Sequence, residues 1–165
     1  MWERTGQMGT AANSEAGISP AELRQRVLAL VEGESDVIAK MATLACEVFH
    51  ADPRFDWVGF YRRVEDQLLK IGPYQGGHGC LVIPFERGVC GAAAREEKTQ
   101  LVEDVEAFPG HIACATSTRS ELVVPVFEKS GRLIAVLDID SDRPAAFTQE
   151  DATFFESLMA EVFAR

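Results

Sequence analysis

The sequence predicts an α+β domain in which an antiparallel sheet lies between helix-rich ends, and three observations lead there. Apolar residues recur at helical spacing near both ends of the chain and at period two through its middle. Short polar turns separate the period-two runs, as in hairpins joining antiparallel strands. Helices grouped at the ends and strands grouped between them are the order of an α+β domain rather than of alternating βαβ units.

Taken in order, residues 1–17 are Gly, Ala, Ser and Thr with scattered charge and read as a disordered tail, which leaves 18–165 as one domain. Ser19 is a good helix N-cap, with Pro20 at the first helical position and Glu22 completing a capping box. Leu23, Val27, Leu30 and Val31 then form an apolar stripe. A second helix over 35–50 places Val37, Ile38, Met41, Leu44, Ala45 and Phe49 on one stripe, with Cys46 assigned to the core. "WVGFYRRV" and "QLLKIGPYQG" read as a hairpin around "EDQ", and "CLVIPF" as a short strand. "GVCGAAAREEK" reads as a short helix starting on Gly88, and "TQLVEDV" as a further strand. The clearest hairpin is "ELVVPVFEKSGRLIAVLDIDS", turning at Lys129-Ser130-Gly131. A helix over 147–163, with Thr148 as N-cap and Asp151 three residues on, closes the chain.

Composition narrows the function. A formal charge of −10 opposes binding to nucleic acid or to an anionic membrane surface. No apolar run reaches the length of a membrane span, and the first residues lack the apolar core of a signal peptide. The expected compartment is therefore the reducing cytoplasm, where four cysteines rest as thiols and a cysteine group points to catalysis or metal binding. Cys80, Cys90 and Cys114 all stand in glycine-rich or small polar surroundings, unlike Cys46. Asp138 and Asp140, two apart in "VLDIDS", share one face of a strand, and Glu121 opens the neighbouring strand of the same hairpin. Three carboxylates over one concave surface suit an ammonium group, and crowding raises the pKa of at least one of them. Trp57 and Tyr61, four apart on one strand, can wall the same pocket, with Phe60 on the opposite face as core.

The motifs "WVGFY" (57–61), "GPYQG" (72–76), "GVCG" (88–91), "VEDV" (102–105), "GHIAC" (110–114), "SE" (120–121) and "VLDIDS" (136–141) come in an order that resembles a stand-alone GAF domain. More narrowly, the chain is similar to the free methionine-(R)-sulfoxide reductases. The resemblance implies a six-stranded antiparallel sheet with helices packed on one side. It also implies a thiol-dependent reduction of free methionine sulfoxide, with the R epimer as substrate. In that family the attacking cysteine corresponds to Cys114 and the resolving cysteine to Cys80, with Cys90 as a second candidate resolver. Attack by a thiolate leaves a sulfenic acid, which condenses with the second thiol to a disulfide. By the same resemblance thioredoxin recycles that disulfide; no cofactor or metal is expected, and a carboxyl kept protonated by crowding, Glu121 or Asp140, is the candidate to supply the proton for the departing oxygen. Trp57, Tyr61, Glu121, Asp138 and Asp140 are the expected substrate-binding residues.

Two other functions compete. A non-catalytic GAF sensor of a small molecule shares the fold, but has no need of three loop thiols. Cys80, Cys90 and Cys114 with His78 or His111 have the donor types of a Cys₃His zinc site, yet the sequence contains no C-x₂-C pair among them. A cysteine hydrolase using His111 as base is weaker, since no triad order is visible. Pairing into a homodimer is left open.

Overall fold

A computed structural model describes residues 17–111 and 116–165. Cys114 and residues 1–16 of the expected tail lie outside the described residues. Ten helices and strands follow in order: α1 (Pro20–Leu30), α2 (Val37–Phe49), β1 (Trp57–Glu65), β2 (Leu68–Gln75), β3 (Val82–Pro84), α3 (Gly88–Glu96), β4 (Gln100–Val102), β5 (Ser120–Phe127), β6 (Leu133–Ser141) and α4 (Gln149–Phe163). The six strands form one antiparallel sheet of order β3-β2-β1-β6-β5-β4, as the α+β reading expects.

The caps act where the sequence places them. Ser19 Oγ accepts the Glu22 backbone N–H at 3.2 Å, but no bond from the Ser19 N–H to the Glu22 carboxylate completes the expected capping box among the described residues, whereas Thr148 with Asp151 forms a reciprocal one. For α2 the N-cap is Asp36, whose carboxylate accepts from Ile38 and Ala39. A 3₁₀ turn at Val105–Ala107, between β4 and β5, is a feature the period analysis does not contain. Short turns of this kind carry no apolar period.

The sheet divides the protein into two cores. One face carries Val58, Phe60, Leu122, Val124, Leu137 and Ile139, and α1, α2 and α4 bury it. The opposite face carries Tyr61, Leu69, Val123 and Val136, and α3 covers it with Val89, Cys90, Ala93 and Ala94. So the helices do not all pack on one side as the resemblance implies. The reason is visible in α3, whose buried face is built from small residues that let a helix lie close on the sheet. Three stripe residues also depart from expectation: Leu30, Val37 and Ile38 are exposed, while Val48 is fully buried. Each exposed residue sits at a helix end. Cys46 is only partly buried, next to His50, and not in the core.

Arg54, just before β1, ties the larger core to its edge. It bonds Asp52 at 2.8 Å, Asp151 at 3.1 Å and the Ala146 carbonyl at 2.7 Å, and it lies over the Phe55 ring. Gly91 fixes α3 on the other face: a Cβ there would come within 2.6 Å of the Pro84 carbonyl oxygen and 2.8 Å of the Phe85 carbonyl oxygen. Gly91→Ala is accordingly expected to lose about 1–3 kcal/mol of stability through overpacking. Urea denaturation of the variant against the parent checks this.

Candidate active site

Register in the sheet assembles the site. Trp57 of β1 pairs with Asp140 of β6, and Asp140 in turn with Glu121 of β5. One step further in, Gly59 pairs with Asp138, and Asp138 with Val123. Because side chains alternate across a strand, Trp57, Tyr61, Glu121, Asp138 and Asp140 all rise from the α3-side face. Beyond them the sheet end is locked: Ser120 pairs with Ser141, and the Ser120 hydroxyl donates to the Arg143 carbonyl at 2.6 Å. The three carboxylates thus stand on fixed backbone.

Oxygens of Glu121, Asp138 and Asp140 lie within 4.8 Å of one another, a spacing that fits an ammonium group or a hard cation. Burial pushes all three carboxyls well above their ordinary pKa, and mutual repulsion adds to it. Donors oppose the shift unequally. The neighbouring Cys90 thiol offsets part of the shift at Asp138, and the Thr118 hydroxyl part of that at Asp140. Among the described residues no donor offsets the shift at Glu121. One oxygen each of Asp138 and Asp140 is buried without a partner.

Aromatic rings close one wall. Trp57 stacks on Tyr61 with centroids 5.8 Å apart and on Tyr74 at 5.4 Å. Its ring lies across Gly59, where an added Cβ would meet it at 2.4 Å. The loop "GGHGC" then folds over these rings. Trp57 Nε1 donates to the Gly77 carbonyl at 2.9 Å, and a Cβ on Gly79 would come within 2.8 Å of the Tyr61 hydroxyl oxygen. The glycines before Cys80 are thus a packing requirement: the loop backbone rests on the aromatic wall. Burial, followed by the charge of Asp138, raises the Tyr61 phenol, so it stays protonated.

The result is a narrow pocket bounded by the carboxylates, by Trp57 and Tyr61, by His78 and Gly79, by the start of α3, and by His111 and Thr118. Of the expected site residues, Trp57, Tyr61, Cys90, Glu121, Asp138 and Asp140 all line it. Cys80 follows directly on Gly79 at its mouth and is disulfide-bonded, whereas Cys46 and Cys90 are free thiols. His111 turns a buried Nδ1 without a partner to this region, and desolvation lowers its pKa. Tyr74, Thr118 and His78 as a wall residue are absent from the sequence reading. The only signal for Tyr74 is the aromatic within "GPYQG", and its partner Gly59 lies on another strand.

The chain resembles known proteins along most of its length. A family model described as a GAF domain matches residues 32–162. The free methionine-R-sulfoxide reductase of Escherichia coli is 39% identical over 142 residues, covering 86% of this chain and 85% of that protein. Its namesake from Saccharomyces cerevisiae is 35% identical, covering 88% and 87%. The solved structure of free methionine-R-sulfoxide reductase from Neisseria meningitidis in complex with its substrate aligns with a TM-score of 0.82 at 38% identity, over 90% of this chain and 92% of that one.

The carboxylate shifts have a consequence for stability. A carboxyl whose folded pKa is raised contributes stability that is fully present below its unfolded pKa, about 4, and is lost as pH rises toward the folded value. Stability of the ligand-free protein is therefore expected to fall from about pH 4 upward, and Glu121→Gln to flatten that slope and raise stability at pH 8. Urea midpoints of parent and variant at pH 5 and pH 8 test this.

Proposed function

Because the chain belongs to the free methionine-(R)-sulfoxide reductase family of GAF domains, we propose that it reduces free methionine-(R)-sulfoxide to methionine by thiol chemistry. The observation that carries the proposal is the buried trio Glu121, Asp138 and Asp140 facing an aromatic wall across a narrow pocket. A free amino acid brings an ammonium group for the carboxylates and an apolar S-methyl end for Trp57 and Tyr61. Its carboxylate has candidate donors in the backbone N–H groups at the start of α3, which has no side-chain cap. A peptide-bound substrate lacks the ammonium group and is excluded.

Cys114 attacks the sulfoxide sulfur as a thiolate and ends as a sulfenic acid carrying the oxygen, while methionine departs. Glu121 is the carboxyl best suited to give the oxygen its proton, being the one without an offsetting donor. The resolving thiol then displaces water from the sulfenic acid and leaves a disulfide. Support for Cys80 in that role comes from its disulfide-bonded state at the pocket mouth, against the buried free thiol of Cys90. The two electrons return from an external dithiol, thioredoxin in this proposal, with no bound cofactor. The substrate's ammonium offsets the negative charge that otherwise keeps a nearby thiol protonated.

Fully reduced protein, freed of reductant and given racemic methionine sulfoxide, should release about one methionine per chain and lose two thiols, with a Cys114–Cys80 cross-link. The R epimer alone should be consumed, and N-acetyl-methionine sulfoxide should remain intact. Surviving thiols with no methionine would sink the reductase reading. Glu121→Gln should lower kcat by about 100-fold or more, as loss of a general acid does, measured with thioredoxin and its reductase as electron source.

A further inference from the structure

His111 lines the pocket and has no part in the reaction described above. Its segment is tied down on both sides. The His111 N–H donates to the Phe108 carbonyl at 3.2 Å, and the Gly110 carbonyl accepts the Gly88 N–H of α3 at 3.0 Å. Phe108 in turn packs against the core under α3. The imidazole is thereby mounted beside the start of α3, while Glu121, Asp138 and Asp140 rise from the sheet. Its Nδ1 is buried and has no hydrogen-bond partner. A polar atom orphaned in this way costs stability, and a ligand group that pairs with it removes that cost. His78, the other histidine of the wall, is exposed and has no such atom.

Charge balance decides which ligand group belongs there. Among the described residues, neither lysine nor arginine lines the pocket. The three acids repel an amino acid's carboxylate, yet that carboxylate shares its carbon with the ammonium group they attract. A donor must therefore meet it within the same narrow space. One backbone donor at the start of α3, the Gly88 N–H, is already engaged by Gly110. We propose that His111 binds the carboxylate of free methionine sulfoxide, donating from its Nδ1–H while the trio holds the ammonium group. The proposal rests on the reductase reading above and adds the residue that recognises the acid end of the substrate. Desolvation lowers the His111 pKa, and a neutral ring still carries one N–H.

Steady-state kinetics with two substrates tests it. Methioninol sulfoxide keeps the ammonium group and the sulfoxide but has no carboxylate. His111→Ala should raise KM for free methionine sulfoxide about tenfold, the loss of one hydrogen bond to a charged group, with kcat little changed. For methioninol sulfoxide the same substitution should change KM by less than about twofold. Where its turnover is too slow to follow, its Ki as a competitor gives the comparison. His111→Asn carries a donor near the Nδ1 position and should recover most of the loss. An unchanged KM for methionine sulfoxide in His111→Ala, or an equal penalty with both substrates, overturns the proposal. A loss confined to kcat also overturns it, since that is the mark of a proton donor to the sulfoxide oxygen. Should His111→Ala not fold, His111→Phe keeps a ring without a donor and is read the same way. Failure of the reductase reading looks different: wild-type protein itself then releases no methionine, and both proposals fall together.

Discussion

Three carboxyl groups taken out of water within 4.8 Å of one another are the constraint on which the rest of the site depends. Leaving one such charge unpaired in an apolar setting costs several kcal/mol, and three together repel. A protein can keep them only on a backbone too stiff to turn them outward. Here that backbone is the central β1-β6-β5 part of the sheet, where register sets Trp57 beside Asp140 and Asp140 beside Glu121. The serine pair locks the sheet end beside the trio, and the aromatic wall with the glycine loop laid over it bounds the pocket.

The two sheet faces divide the labour. The face under α1, α2 and α4 holds the larger apolar core and can supply most of the burial energy that the other face gives up. The α3 face is smaller and carries the buried acids. The same division suits a fold that hosts many functions: one face maintains the domain, and the other is open to whatever chemistry its side chains allow.

Much of this was legible in the chain. Alternation in "VLDIDS" puts Asp138 and Asp140 on one face, and the Lys129-Ser130-Gly131 turn brings Glu121 beside them. The caps of α1 and α4 follow from Ser19 and Thr148. What stayed hidden depends on contacts between elements distant in sequence. Tyr74 joins the wall only because Gly59, its cross-strand neighbour, leaves room for the Trp57 ring. Thr118 lines the pocket beside Asp140 from a loop with no period to read. Nothing local tells whether a small-residue helix such as "GVCGAAA" packs on the same face as the other helices or on the opposite one, and that choice makes Cys90 a buried residue of the pocket wall.

Charge balance within the pocket leads one step further. A single ammonium group cannot neutralise three carboxylates, so a pocket built for an amino acid must hold protons of its own. The distribution of donors decides where. The Cys90 thiol offsets part of the shift at Asp138 and the Thr118 hydroxyl part of that at Asp140, while Glu121 has no such offset and sits directly across the strand pair from Asp140. In the proposed reaction the ammonium draws the cluster toward its ionised form, while the charge of Asp140 favours a proton on Glu121. A sulfoxide oxygen gaining negative charge as the S–O bond weakens is the base that receives it. On the proposed reading, binding and proton delivery are two uses of one cluster.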